Sequence, residues 1–132
     1  MSVDLCRICP AHGSVIRTSI PGTTLFHFGV AFYQRPWLTV AHNAKGQGVR
    51  VVEIEQFSGD RVFEVLDWPD PRTGDLRFRR ALGLVGRPYD LASFNCEHFV
   101  NLVCSGTPSS PQLQSAAFGV LLGGVLLLAL AA

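Results

Sequence analysis

No aspartate, glutamate, lysine or arginine follows Glu97, although both signs of charge are interspersed through the chain before it. That asymmetry limits what can fold as a soluble domain. The segment 115–132 reads SAAFGVLLGGVLLLALAA, and the seventeen residues from Ala116 onward are apolar or glycine. A membrane-spanning helix needs roughly 17–25 such residues. A helix that is apolar on every side finds too little protein to bury it on a small domain. The expectation is therefore a C-terminal membrane anchor over 116–132, reached through a polar, proline-containing linker over 107–115. A buried core helix or a dimer-packing helix is the alternative. Gly119 and Gly123 have the GxxxG spacing that lets two helices approach closely, so a homodimer through the tail is open.

About 105 residues remain to fold, enough for one sheet and two or three helices around one core. They divide into an N-terminal extension over 1–12 and a domain over 13–106. The formal net charge of the 132 residues is +1 and there is no long basic run, so nucleic acid is not an expected partner. Residues 1–10 carry Asp4 and Arg7 and no useful apolar run, which does not read as a secretory signal. A C-terminal span without such a signal leaves the domain facing the cytosol with reduced cysteines.

Cys6, Cys9 and His12 have a metal-like spacing, but no second CxxC or HxxxH completes a four-ligand site, and no metal or cofactor is expected. Cys96 and Cys104 fall eight residues apart on one expected helix, about 12 Å along its axis. That is too far for a disulfide.

Residues 13–19 alternate apolar and polar as a short strand, and Pro21-Gly22 marks a turn. Residues 24–33 (TLFHFGVAFY) form the clearest strand. Phe26, Phe28, Val30 and Phe32 share one face; Leu25, His27, Gly29, Ala31 and Tyr33 share the other. His27 is thus expected opposite an aromatic core face, with room left by Gly29. Residues 37–42 read as a strand ending in His42. Residues 49–57 and 61–66 read as two more, joined by a hairpin-type link at Ser58-Gly59-Asp60. Residues 67–74, with Pro69 and Pro71, read as a loop. Phe78, Ala81, Leu82 and Val85 then follow helical spacing, stopped by Gly86 and Pro88. Cys96, Phe99, Val100 and Val103 repeat that spacing, placing Cys96 in the first turn of a second helix capped by Ser93 or Asn95.

A cysteine at a helix N-terminus has its thiolate favoured by the helix dipole and by free backbone N–H groups. Those N–H groups, at Asn95 and Cys96, can also hold a developing oxyanion. His27 can supply a base, and His42 can orient it as the third member of a triad does. Read from spacing alone, a core cysteine and a structural strand histidine remain the simpler alternative.

The string NCEHFVN over 95–101 resembles the nucleophile motif of the lecithin:retinol acyltransferase-like family, which includes the HRAS-like suppressor phospholipases and N-acyltransferases. ALGLVGRPY over 81–89 resembles the family segment before that motif. GSVIRTS over 13–19 resembles its opening strand, and FHFGVAFY over 26–33 its first histidine strand. The resemblance implies an α+β, circularly permuted papain-like fold with a small antiparallel sheet. It implies Cys96 as nucleophile, His27 as general base and acid, His42 as the orienting residue, and an acyl-cysteine intermediate. The implied substrate is a phospholipid or other acyl ester. The compact loop over 68–74 leaves no room for a long substrate-recognition insertion, which puts retinol in doubt. Glu97 and His98 read as structural. A papain-like peptidase or amidase is one alternative, and a catalytically inactive, membrane-anchored interaction protein is another.

Overall fold

The computed structural model describes residues 9–107. The fold is α+β, built on a five-stranded antiparallel sheet. Its strands are β1 (Ser14–Ser19), β2 (Phe26–Gln34), β3 (Trp37–Ala44), β4 (Gly48–Glu53) and β5 (Phe63–Val65). Their spatial order is β4-β3-β2-β1-β5. Three helices complete the domain: α1 (Ile54–Ser58), α2 (Pro71–Leu84) and α3 (Cys96–Ser105).

Strand parity explains the two cores. Val30 and Phe32 of β2 and Ala41 of β3 turn to one face, where Phe99, Val100 and Val103 of α3 and Ala81 of α2 cover them. Ala31 and Val40, of the opposite parity, meet Ile16, Val52 and Phe57 on the other face. The second face therefore has its own core, closed by α1. The reading of an open face beside Gly29 needs correction on this point. A Cβ added at Gly29 would sit 2.5 Å from Val40 Cγ1 and 2.9 Å from Phe57 Cε2. The missing side chain makes room for Phe57.

The expected strand over 49–57 stops at Glu53. Glu53 and Gln56 form a reciprocal capping box, and Ser58 Oγ donates to Ile54 O, so the chain turns into α1. The expected hairpin at Ser58-Gly59-Asp60 is absent for the same reason. Helix α1 carries the chain across the sheet, and β5 pairs with β1 at the far edge, with Val65 opposite Ile16.

The expected loop over 67–74 ends early. Asp70 caps α2, its carboxylate accepting from Thr73 N at 2.7 Å, and Pro71 occupies the first turn, where its missing N–H costs nothing. The buried stripe of α2 also differs from the expected one. Gly74 and Ala81 are buried and Phe78 is packed against the core, whereas Leu82 and Val85 are exposed. Helix α2 ends at Leu84, so Val85 is a cap and not a further turn. Its contact with the N-terminal segment is close: a Cβ on Gly13 would lie 2.6 Å from Gly74 Cα.

His12 lies in that contact and has a structural role. Its Nδ1 accepts from Tyr33 N at 3.2 Å, its Nε2 lies 3.3 Å from Asp75 Oδ1, and its ring packs on Phe32 and Phe78. Among the described residues no group of three His, Cys, Asp or Glu side chains converges as a metal site. Cys6 lies outside those residues. Cys9, Cys96 and Cys104 are free thiols. Among the described residues no helix is long and apolar enough to cross a membrane. The apolar stretch over 116–132, and with it the expected anchor and dimer contact, lies outside them.

Candidate active site

The site forms where β2 and β3 part. The last paired residues of that ladder at this end are Gly29 and His42. Asn43, one residue on, is fully buried and donates from Nδ2 to Phe94 O at 2.7 Å and Asn95 O at 3.2 Å. This one amide fastens the segment before α3 to the end of β3. The following helix turn therefore starts at the mouth of the gap.

Asn95 caps α3, as one of the two expected candidates. Its Oδ1 accepts from Glu97 N and His98 N, both at 3.0 Å. His98 Nδ1 returns the bond by accepting from Asn95 N at 3.0 Å. His98 thus serves the cap, in line with its structural reading. The Asn95 N–H expected to face an oxyanion is engaged in that cap, so of the two expected donors only the Cys96 N–H remains beside the sulfur.

Cys96 follows the cap and is 1% exposed. Burial pushes its thiol up to about 11, and the Phe28, Glu97 and Cys96 backbone N–H groups lying against the sulfur only partly offset this. The expectation that the helix N-terminus favours the thiolate gives the direction of one contribution; desolvation is larger. At rest the sulfur keeps its proton.

The Phe28 N–H brings the sulfur against β2 at the residue after His27. His27 and His42 share one sheet face, and the register places them diagonally across the β2–β3 ladder. His27 Nε2 and His42 Nδ1 are 2.7 Å apart, with the rings edge to face. Phe57 stacks on His27 at 5.2 Å between centroids and meets the edge of His42 at 5.6 Å. Burial, then His42 and Arg61, hold His27 down to about 3. Burial and Arg50 hold His42 down to about 4. Both imidazoles are neutral near pH 7.

One hydrogen therefore lies between the two rings. If His27 is to accept a proton at Nδ1, its own hydrogen sits on Nε2 and is donated to His42 Nδ1. His42 then carries its hydrogen on Nε2, a buried atom without a partner. In that tautomer His42 is the acceptor for His27 Nε2–H.

Tyr89 is a further member that the sequence reading passed over. Its hydroxyl is buried without a hydrogen-bond partner, and burial together with Cys96 and Asp90 pushes it above the usual phenol range. An aromatic in a loop between two helices carries no periodic signal, so only the tertiary arrangement places it near the sulfur. Asn43 escaped notice for the same reason, since its partners lie 51 and 52 residues away.

No curated protein matches the chain. The family model described as lecithin retinol acyltransferase matches residues 27–109, a span that begins at His27 and includes His42, Asn43, Tyr89 and the Cys96 helix. The chain belongs to the lecithin retinol acyltransferase family.

Proposed function

We propose that the protein is a cysteine-dependent acyltransferase or acyl hydrolase acting on a lipid acyl ester through an acyl-cysteine intermediate. Acyl transfer is the general chemistry of the family. The observation that carries the cysteine-dependent reading is the junction at Phe28. Its N–H meets the Cys96 sulfur, and the preceding residue is His27, already bonded to His42. The reading is supported by this one-residue step along β2, which joins the strand that carries the imidazole pair to the start of the Cys96 helix. A helix cysteine that follows its histidine strands in the chain agrees with a permuted papain-like order.

Both partners rest neutral, so proton transfer accompanies attack. The Cys96 Sγ attacks the ester carbonyl carbon as its proton passes to His27 Nδ1. The carbonyl oxygen becomes an oxyanion beside the Cys96 N–H. On collapse the C–O bond breaks, and His27 returns the proton to the leaving alkoxide, which departs as lysolipid or alcohol. A thioester remains on Cys96. Water, an amine or an alcohol then attacks it with His27 again taking a proton, and the thiol is restored. The apolar stretch over 116–132 would keep the domain at a lipid interface, with the site on the cytosolic side.

Intact mass measured after mixing the protein with phosphatidylcholine tests this reading. The expected result is a fatty-acyl adduct that maps to Cys96, with release of lysolipid, and neither with Cys96→Ala. Equal lipid turnover by Cys96→Ala refutes it. Cleavage of peptide substrates with no lipid turnover would select the peptidase alternative.

A further inference from the structure

A cleft of about 400 Å3 runs beside α3, starting one residue from the nucleophile. On the helix it is lined by Glu97, Val100, Asn101 and Cys104, the i, i+3, i+4, i+7 stripe next to the one that enters the core. Val15 of β1, Phe28 of β2 and Leu66 after β5 face that stripe. We propose that this cleft receives the acyl chain of the substrate and sets which chain lengths are transferred. The proposal rests on the reading of Cys96 as the acylated residue.

Three observations support it. Phe28 belongs to both places: its N–H lies against the Cys96 sulfur and its residue lines the cleft. The sulfur and the cleft are therefore neighbours across one residue, with Phe28 between them. Second, Cys104 lies two helical turns beyond Cys96, about 12 Å along α3, so the cleft is elongated in the direction a chain must run. Third, the charged wall is largely satisfied within the protein. Asp67 Oδ2 pairs with Arg77 at 2.8 Å, Asp67 Oδ1 accepts from Val15 N at 2.8 Å, and Arg77 also donates to Gly13 O at 2.9 Å. Of this pair, Arg77 Nε is the buried atom without a partner. Val15, Phe28, Leu66, Val100 and Cys104 supply the apolar lining, beside the polar Glu97 and Asn101 of the helix. Leu66 is 39% exposed at the cleft and Trp68, two residues on, is 48% exposed, giving an apolar approach from solvent or from a lipid surface.

The half-buried Cys104 thiol serves as a reporter in the unmodified chain. Cys96 is first alkylated with a chloromethyl ketone carrying either a short propyl or a long pentadecyl chain. Cys104 is then labelled with a maleimide, and its labelling rate is read by peptide mapping against that of the exposed Cys9. The long chain is expected to slow Cys104 labelling at least about tenfold, and the short chain is expected to leave it unchanged. Equal labelling after the two ketones overturns the cleft assignment while leaving the nucleophile intact. If neither ketone modifies Cys96, the nucleophile reading fails, and the cleft assignment falls with it.

A second measurement uses turnover. Val100→Phe and Cys104→Trp narrow the cleft from two positions. Each buried methylene contributes about fourfold to binding. The ratio of kcat/KM for palmitoyl over butyryl esters is therefore expected to fall at least about tenfold in either variant. An unchanged ratio in a folded, active variant also overturns the assignment.

Discussion

His27 Nε2 and His42 Nδ1 lie 2.7 Å apart across two adjacent antiparallel strands, in a buried pocket roofed by Phe57. The contact engages Nε2 of His27, and the tautomer that donates from Nε2 leaves Nδ1 as the proton acceptor. Replacing His27 by alanine removes the proposed base, and a loss of about 10²- to 10⁴-fold in acylation rate is expected. His42→Ala leaves the base present but without its acceptor, and a smaller loss of about 10- to 100-fold is expected. The double variant should lose no more than His27→Ala alone, because the two rings act as one unit. Single-turnover acylation of Cys96 measures all three. Multiplying losses would show that the rings work independently.

Gly29 is fixed by packing and not by a turn. A methyl group there meets Val40 Cγ1 and Phe57 Cε2, both inside ordinary contact distance. Overpacking of this kind costs about 1–3 kcal/mol. Gly29→Ala is expected to lower the urea midpoint accordingly and to displace Phe57 from the imidazoles. A stability equal to that of the parent would mean that Phe57 does not sit as described.

Acid and alkali are expected to destabilise the domain for opposite reasons. Each buried imidazole, ordinarily near 6.5, is held to about 3 or 4 in the folded chain. The unfolded chain therefore takes up protons first, and stability is lost as pH falls from about 6.5 toward 3. The Cys96 thiol is held up to about 11 from an ordinary 9.0. Here the unfolded chain releases its proton first, and stability is lost as pH rises from about 9 toward 11. Each group contributes a slope of at most about 1.4 kcal/mol per pH unit. Urea unfolding across this range should give a plateau between the two limbs. Cys96→Ala should remove the thiol's share of the alkaline limb and spare the acid one.

Asn43 fastens the nucleophile segment through two carbonyls, Phe94 O and Asn95 O. Asn43→Ala removes two buried hydrogen bonds, while Phe94 O and Asn95 O keep the backbone donors Asp90 N and Phe99 N, so the cost is about 0.5–1.5 kcal/mol per bond. Because the same bonds locate the start of α3, the acylation rate is expected to fall as well. Thermal unfolding and single-turnover acylation, measured on one preparation, check both effects. Loss of stability with full activity would separate the anchor from the site.

Tyr89 gives the reverse test. Its buried hydroxyl has no partner in the protein. Tyr89→Phe should therefore change stability by no more than about 0.5 kcal/mol. The expectation for acylation is a slowing of at least about tenfold, from loss of an unpaired polar group near the sulfur that a substrate oxygen could bond. A destabilised but fully active variant would assign Tyr89 to the fold alone.

The sequence alone was enough for features written in local spacing. The alternation over 26–33 gave β2 and the side of it on which His27 lies. The period in Cys96, Phe99, Val100 and Val103 gave α3 and the position of Cys96 in its first turn. Local capping chemistry was equally available in Asp70-Pro71 and in Glu53 with Gln56, and α1 and the start of α2 could have been read from it. What pairs with what was settled only by the folded chain. That β5 joins β1, that Phe57 occupies the space above Gly29, and that Asn43 and Tyr89 reach the nucleophile region depend on contacts between residues far apart in the chain. Burial is likewise a tertiary property: a helix N-terminus favours a thiolate, but the packing that closes around Cys96 desolvates the sulfur and keeps it protonated.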